Sequence, residues 1–397
     1  MDIDTTVEHL AALLERPLVL YDVDLNVAAY SAHDADVDEA RRLTILSRRG
    51  SVTVRDMLRA SGAAQVSAPV RLPAADGVPE RIAVGVRHDG HLMGYLVWVE
   101  PGAARDVTAT VRELLDRFGP DLGRLLAVRA LDSQETRLRL RMLVSDLVSD
   151  DVPRRAEAAR ALVDDGALPD AAEYTGFVIA APDAGRSSAA QRRTALEAAL
   201  AGLARSMREA VAGAVIGDRA VAVLAHGAGR PRTPGRPAAR DGVLVGMGAP
   251  VHELSDTVSS VRQARLAVRG GELDPGRYGP VVSWDDLGLD RLLLQLPLER
   301  LTVEDLPASV ARLVDPASGL DLAGTLEVYL DCGADGQETA KRLMIHRSTL
   351  YYRLDRARKV TGADLRDGAA RRELHTGLRV ARLAGILPPT SSPTPAG

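Results

Sequence analysis

The sequence predicts a multidomain α+β protein in which two sheet-containing domains precede an all-α C-terminal domain. Three observations predict this fold class. The chain has 397 residues, more than one ordinary domain holds. Apolar runs separated by turn residues, which are typical of strands, occur in residues 1–105 and again in 174–271. Near the C-terminus, apolar residues recur at helical spacing, and two short helices joined by a tight turn are expected.

The composition narrows the class of protein. Hydrophobic residues make up 46% of the chain, but it has only two Phe and two Trp, so the cores must be built from Leu, Val, Ile and Ala. A single cysteine, Cys332, excludes a disulfide framework and favours a reducing compartment. The N-terminal residues lack the basic and apolar regions of a signal peptide, and no apolar run reaches the roughly 18 residues of a membrane span. We therefore expect a soluble cytoplasmic protein with no membrane partner.

Residues 1–105 are expected to form a helix, a hairpin, further helices and an antiparallel meander. Asp89-Gly90 is a strong hairpin signal between the last two strands. The order resembles a GAF- or PAS-like sensor domain, and this resemblance implies a small-molecule pocket without naming the ligand. The predicted elements are a helix at 7–14, two strands in 17–31 with a turn at 24–26, a polar helix at 36–48, and the strand-like runs SAPVRLP, RIAVGVRHDG and HLMGYLVWVE.

Residues 106–165 are expected to be linking helices. Their apolar residues recur at i, i+4, i+7 and i+8 up to Phe118, and the stripe resumes after Gly119-Pro120, which is expected to interrupt the helix. Two interpretations remain open for this stripe. It could pair with the same helix of a second copy, or it could pack on the sensor domain of its own chain.

Residues 166–285 are expected to form an α/β domain with helices on the faces of a sheet. The elements run strand, helix, hairpin, strand, helix: YTGFVIAAP, residues 187–211, GAVIGDRAVAVLAHG with its turn at Gly217-Asp218, VLVGMGAPV, and residues 254–268. The C-terminal domain is expected to cover 286–386. Residues 387–397 are rich in Pro, Ser and Thr and are expected to be a disordered tail.

The segment GQETAKRLMIHRSTLYYRLDRAR is typical of a helix-turn-helix, in which the second helix enters the DNA major groove. Residues 337–343 form the first predicted helix, and Met344-Ile345 form the turn. Arg347 or Ser348 begins the recognition helix, whose buried stripe is expected at Leu350, Leu354 and Ala357.

This register predicts which side chains face DNA. N-terminal residues of a recognition helix generally meet base edges, and flanking cations bind phosphates. Between residues 337 and 382 there are twelve Lys or Arg against five Asp or Glu, although the net charge of the chain is −4. Double-stranded DNA is therefore the expected partner. The outer side is expected to carry Arg347, Ser348, Thr349, Tyr352, Arg353 and Arg356; Arg347, Ser348 and Thr349 are the first predicted contacts, Tyr352 and Arg353 the next, and Lys341 and Arg342 lie where phosphates would pass.

Residues 320–384 resemble the C-terminal helix-turn-helix of PucR-type regulators, also called the CdaR-like family. The run ETAKRLMIHRSTLYYRL carries the resemblance, because His-Arg-x-Thr-Leu-x-Tyr-Arg-Leu is unusual outside this family and its Fis-like relatives. In such regulators the position of Met344 is usually glycine. A bulky residue there implies about 1 kcal/mol of strain if φ is positive.

The resemblance also implies the order sensor, degenerate GGDEF-like domain, helix-turn-helix. The hairpin that would carry the Gly-Gly-Asp/Glu-Glu-Phe signature has Ile216-Gly217-Asp218-Arg219-Ala220, without the paired glycines or the acidic pair that would hold metal ions against a triphosphate. We therefore expect no enzyme, no catalytic residues and no cofactor. The expected protein is a homo-oligomeric regulator, a dimer or tetramer, that responds to a small molecule or partner and binds half-sites about 34 Å apart.

The same residues allow other interpretations. The middle domain could bind or convert nucleotides, or the helix-turn-helix could contact protein rather than DNA. His88 and His91 flank a hairpin turn and are better explained as exposed turn residues than as metal ligands, so no metal site is expected. Cys332 is expected to be a small core residue rather than a redox sensor.

Overall fold

The structure of the protein is a computed structural model, which describes residues 2–31, 44, 52–66, 68–75, 78–99, 109–181, 188–207, 209–227, 242–314 and 321–388. The chain divides into two compact units, an N-terminal unit (Met1–Arg137) and a C-terminal unit (Leu138–Gly397). The predicted α+β class with a helical C-terminal region is confirmed. Within the described ranges, no helix combines the length and apolar character needed to cross a membrane.

The N-terminal unit contains a five-stranded antiparallel sheet in the order β2-β1-β5-β4-β3. Both faces of this sheet are covered, because alternate residues of β1 enter different apolar clusters. Leu18 and Leu20 pack with α1, whereas Val19 and Tyr21 pack with α2. The elements are α1 (Ile3–Leu14), β1 (Leu18–Asp22), β2 (Val27–Tyr30), α2 (Val52–Ala60), β3 (Val70–Leu72), β4 (Arg81–His88) and β5 (His91–Val99).

The predicted turns of this sheet are confirmed. Asp89 and Gly90 both have positive φ, 47° and 79°, as the tight turn between β4 and β5 requires. Leu25, with φ of 62°, lies inside the predicted turn at 24–26. The polar helix predicted at 36–48 lies outside the described residues except for position 44. Helix α2 has no counterpart among the predicted elements.

Helix α3 (Ala109–Leu147) continues through Gly119-Pro120, so the predicted interruption is wrong. Proline removes one backbone hydrogen bond, at a typical loss of about 3 kcal/mol in a helix interior. Phe118 and Leu122 on either side of it are buried in the core of the N-terminal unit, and their burial offsets this loss. Helix α3 lies close to β4 at this point, since a Cβ atom added to Gly123 would lie 2.0 Å from the Arg87 carbonyl oxygen.

The C-terminal unit begins with a second five-stranded sheet, in the order β10-β9-β6-β8-β7. Strands β9 and β10 are parallel, and the other neighbours are antiparallel. The predicted order of strand, helix, hairpin, strand and helix is confirmed. The elements are α4 (Val152–Asp164), β6 (Glu173–Ala180), α5 (Ala189–Ser206), β7 (Ala210–Ile216), β8 (Arg219–His226), β9 (Leu244–Met247), α6 (Thr257–Leu273) and β10 (Val281–Ser283).

One helix of this sheet domain ends earlier than predicted. The helix predicted to reach residue 211 stops at Ser206, and Val211 lies in β7, paired with Leu224 of β8. Alanine-rich sequence favours a helix locally, but the β-branched Val211 gains a ladder partner and becomes half-buried in the sheet. Tertiary pairing therefore decides the conformation of this segment.

The rest of the C-terminal unit is helical. Leu326, Leu350, Leu374 and Leu378 are fully buried at the centre of its core. A further apolar cluster joins α6 to this region through Ala267 and Leu383, so the predicted domain boundary between 285 and 286 stays a prediction. The helices are α7 (Pro275–Tyr278), α8 (Asp290–Leu293), α9 (Ala308–Val314), α10 (Leu322–Asp331), α11 (Gly336–Arg342), α12 (Arg347–Thr361) and α13 (Gly368–Leu383). The tail predicted at 387–397 lies outside the described residues after 388.

Candidate nucleic-acid interface

The first helix of the pair, α11, begins at a well-formed cap. The Asp335 carboxylate accepts hydrogen bonds from the backbone N–H groups of Gln337, at 2.7 Å, and Glu338, at 3.1 Å. These bonds, with a smaller contribution from the nearby positive charge of Arg347, lower the pKa of Asp335 below its ordinary value. The cap fixes where α11 starts, and Ala340 then packs it into the core.

The turn between α11 and α12 contains the unusual methionine. Met344 has φ of 54° and is 90% exposed, so it adopts the left-handed conformation without burying its side chain. Its N–H donates to the Lys341 carbonyl at 3.1 Å, and the Ile345 N–H donates to the Ala340 carbonyl at 3.0 Å. The chain therefore makes at Met344 the left-handed turn for which glycine is the usual residue.

Helix α12 is the predicted recognition helix. His346 is its N-cap, and the ring Nδ1 accepts from the Ser348 N–H at 3.3 Å and lies 2.8 Å from the Ser348 hydroxyl. The predicted buried stripe of Leu350, Leu354 and Ala357 is confirmed. Because this stripe fixes the rotation of α12, the opposite face of the helix points to solvent.

The exposed surface of the pair is polar and basic. Tyr352 is exposed, and so is its neighbour Tyr351, which is not among the predicted contacts. A Cβ on Gly336 would lie 2.8 Å from the Tyr351 hydroxyl oxygen, so this ring lies against the start of α11. The other exposed residues at the predicted positions are Lys341, Arg342, Arg347, Ser348, Thr349 and Arg356.

Arg353 differs from the other predicted contacts. It was expected on the outer side, but it is half-buried and its Nη1 donates to the Thr325 hydroxyl of α10 at 3.2 Å. Position 353 follows Leu350 by three residues and borders the buried stripe, so its side chain reaches the neighbouring helix. Its Nε is buried and has no hydrogen-bond partner among the described residues. A DNA contact by Arg353 stays a prediction.

A buried ion cluster connects α13 with the segment that follows the sheet. Arg379 donates to Asp290 through Nε, at 2.9 Å, and Nη2, at 2.5 Å, and to Asp274 through Nη1, at 2.5 Å. Tyr278 also donates to Asp290. Burial, together with this bond to a carboxylate, raises the pKa of Tyr278 to about 12. Burial works against the charge of Arg379, but its bonds to Asp290 and Asp274 outweigh it and raise the pKa of Arg379.

Further ion pairs link α10 to α13 and to α7. Arg382 of α13 donates through Nε to the buried Glu327 of α10, at 2.8 Å. Asp331 accepts from His375 at 2.9 Å and lies 3.7 Å from Arg277. The hydrogen bond from His375, and then the charge of Arg277, lower the pKa of Asp331. These clusters were not predicted, although arginines at inward positions of α13 were a usable signal.

The hairpin of the middle sheet carries no acidic pair. Gly217 has φ of 63° in the turn, and the Arg219 guanidinium lies 2.8 Å from Glu272 and 3.3 Å from Asp218. Across the described part of the chain, no group of three His, Cys, Asp or Glu side chains could hold a metal ion.

Comparisons with known proteins point to the same module. Residues 322–380 match the PucR C-terminal helix-turn-helix domain. The proline-responsive transcriptional activator PutR of Bacillus subtilis (strain 168) is 20% identical over 405 aligned positions, which cover 95% of this chain and 96% of that protein. The purine catabolism regulatory protein of the same organism is 42% identical over 62 residues, which cover 16% of this chain and 12% of that protein.

A solved structure is also similar. The crystal structure of a regulator of polyketide synthase expression from Bifidobacterium adolescentis is 17% identical, with a TM-score of 0.28, and the match covers 64% of this chain and 94% of that chain. The matched residues 322–380 are the helices that form the exposed basic surface described above. The C-terminal module is therefore a PucR-type helix-turn-helix domain, and the chain is a DNA-binding transcriptional regulator.

Proposed function

We propose that this regulator reads a specific operator with the N-terminal half of α12 and changes its DNA affinity when an effector binds its N-terminal domain. The observation that carries the proposal is the exposed polar face of α12, fixed in rotation by its buried stripe. A helix held in this way presents the same side chains to every DNA molecule that it meets, as sequence-specific binding requires.

Each exposed group has a role that follows from its chemistry. The Arg347 guanidinium can bind a guanine edge with two hydrogen bonds. The hydroxyl groups of Thr349 and Tyr352 can bind phosphates or bases, and Ser348 shares its hydroxyl with the His346 cap. Lys341 and Arg342 are cations on the preceding helix and bind phosphates. Arg353 supports the helix from behind, and a base contact by this residue requires its bond to Thr325 to break.

The two sheet domains supply regulation rather than chemistry. The N-terminal sheet, with helices on both faces, is a GAF- or PAS-like sensor whose effector is a small molecule. The similar protein PutR is described as proline-responsive, so amino acids are the first effectors to test. The middle sheet is a degenerate GGDEF-like domain that acts as a structural and dimerisation element. The protein is a cytoplasmic homo-oligomer and not an enzyme.

Binding of the chain to its own upstream DNA, measured by fluorescence anisotropy, tests this proposal. Arg347→Ala and Thr349→Ala should each weaken binding by about 1–3 kcal/mol if they meet bases. Arg366→Ala is the control, since this arginine is exposed outside α12 and near Asp364. Equal binding by all four proteins would refute the assignment of the reading face. Binding that does not weaken as salt rises would instead favour a protein-interaction role.

A second measurement tests the effector. Isothermal titration of the full chain with proline and other amino acids should give saturable binding by one of them, and the same compound should shift the DNA affinity. Saturable binding of a nucleotide, with no effect of any amino acid, would favour the alternative of a nucleotide-binding regulator.

A further inference from the structure

Helix α3 has apolar residues on two faces that point in different directions. One face packs within the chain: Phe118, Leu122 and Leu126 are buried in the core of the N-terminal unit, and Val144 and Leu147 are buried in cores of the C-terminal unit. This face accounts for the part of the sequence stripe that packs on its own domains. For these residues, the structure therefore favours the interpretation that the stripe packs within its own chain.

The other face is exposed. Val128, Leu131, Leu138 and Met142 are between 48% and 66% exposed. At roughly 100° of rotation per residue, these four side chains point about opposite to the buried face. We call them the outer stripe. Large apolar side chains scattered singly on a surface are ordinary, but four aligned along one helix form a contiguous patch.

The outer stripe has the spacing of a coiled coil. Its members are separated by three, seven and four residues, which are the a and d positions of a heptad repeat. Glu135 occupies the a position between Leu131 and Leu138. The repeat covers a stretch in which every residue from 128 to 139 is exposed. An isolated helical stretch of about 12–15 residues is only marginally stable in water, so a partner along this stripe would support it.

We propose that the outer stripe is the surface on which a second copy of this chain binds, through the same helix, parallel and in register. This proposal deepens the homo-oligomer of the proposed function and rests on it for the parallel sense. Parallel pairing places both C-terminal units at the same end of the helix pair, where one operator can engage both. Antiparallel pairing about the same stripe, which is centred on Glu135, would instead put the two C-terminal units at opposite ends of the stripe, with the two Leu147 residues 24 residues, or about 36 Å, apart along the helix pair.

Charge supports a second copy as the partner. In a parallel pair, a g position lies beside the e position of the next heptad on the other helix. Arg141 at g then lies beside Asp146 of the partner subunit, an attractive pair made twice in a twofold dimer. Gln134 at g meets Arg139 of the partner subunit without repulsion. The flanking positions therefore contain no like-charged pair.

Glu135 limits the strength of this interface. In this register Glu135 faces Glu135 of the partner subunit, and the two facing carboxylates repel each other. A polar residue at one a position specifies register and oligomeric state at the expense of stability. The structure therefore points to a dimer that exchanges readily, and Glu135→Leu should tighten it.

Sedimentation equilibrium of the full chain tests the surface. Leu131→Asp and Leu138→Asp should each raise the dissociation constant of the dimer by about tenfold or more, and Glu135→Leu should lower it. Ser133→Asp is the matched control, because this residue lies on the same helix on the side away from the outer stripe. Circular dichroism confirms that each variant is folded. A monomeric parent chain, or the same dissociation constant for Leu131→Asp and Ser133→Asp, would overturn the proposal.

A disulfide tests the orientation. In a Cys332→Ser background, a Leu138→Cys variant should oxidise to a covalent dimer, since in-register parallel helices bring the two new thiols together. Antiparallel pairing keeps them apart, so the absence of a covalent dimer would overturn the parallel sense. The monomeric Leu131→Asp chain should still bind a DNA half-site. Loss of half-site binding in the parent chain would count against the proposed function and not against this interface.

Discussion

Arg379 and Asp290, which are 89 residues apart in the sequence, form a buried two-point ion pair through Nε and Nη2 of the guanidinium. Asp274 and Tyr278 complete the cluster. The pair anchors α13, the last helix of the DNA-binding module, to the segment that follows the middle sheet. This anchoring limits independent movement of the module relative to the segment that follows the middle sheet.

Loss of Arg379 should destabilise the C-terminal unit strongly. Arg379→Leu leaves Asp274 and Asp290 as buried carboxylates without their cation, and breaking a buried pair in this way typically costs about 3–5 kcal/mol. Urea denaturation followed by circular dichroism measures the change. Arg366→Leu removes an exposed arginine that pairs with the exposed Asp364, and it should change stability by less than about 0.5 kcal/mol. Similar effects of the two substitutions would contradict the role of the cluster.

Replacing Met344 with glycine should make the left-handed turn between α11 and α12 more stable. Met344→Gly removes the steric penalty of positive φ without any loss of packing, because the side chain is exposed, and should stabilise the protein by up to about 1 kcal/mol. Met344→Val should act in the opposite direction, since a β-branched residue tolerates positive φ poorly. The midpoint temperatures of thermal unfolding of the parent chain and of the two variants measure both effects. A destabilising Met344→Gly would show that the turn is not strained.

Arg353 should contribute to stability, whereas Arg347 should not. The bond from Arg353 to the Thr325 hydroxyl involves a charged donor in a half-buried site. Such bonds contribute about 1.5 kcal/mol to the free energy of unfolding. Arg353→Ala should therefore lower the free energy of unfolding by about this amount, and Arg347→Ala should leave it unchanged. A double-mutant cycle with Thr325→Val isolates the interaction. A coupling energy of zero would mean that the bond to Thr325 does not stabilise the protein, and Arg353 would then be free to contact a base.

Lys341 should affect DNA binding without affecting sequence preference. If it neutralises one phosphate, Lys341→Ala should reduce the slope of log affinity against log salt concentration by about one and weaken cognate and scrambled DNA equally. Arg347→Ala should instead weaken cognate DNA more than scrambled DNA. Anisotropy titrations at several salt concentrations give both quantities. A selective loss on cognate DNA for Lys341→Ala would move this residue from the phosphates to the bases.

Local pattern was enough to predict most of the architecture. Short apolar runs predicted the strands on both sides of Asp89-Gly90 and of Gly217-Asp218, because turn chemistry and the length of an apolar run are encoded within a few residues. The register of α12 followed from Leu350 and Leu354 for the same reason. These features depend on neighbours in the sequence.

Features that depend on distant residues were not predictable in this way. Pro120 looks like a helix break until the apolar contacts of Phe118 and Leu122 are known. Arg353 lies next to the buried stripe, and only the position of Thr325 on α10 explains its inward direction. The Arg379 cluster joins groups about a hundred positions apart, and no spacing rule connects them.

The position of Asp274 has a practical consequence for isolating the DNA-binding module. A fragment that begins at residue 286 would keep Arg379 and Asp290 but lose Asp274, Tyr278 and the apolar surface of α6 that covers Leu383. Such a fragment should aggregate or be cleaved rapidly by proteases. A fragment that begins at Leu138, where the C-terminal unit begins, would keep the middle sheet that covers α6, and also Asp274, Tyr278 and Asp290. It is therefore the piece of the chain to express for crystallisation with DNA.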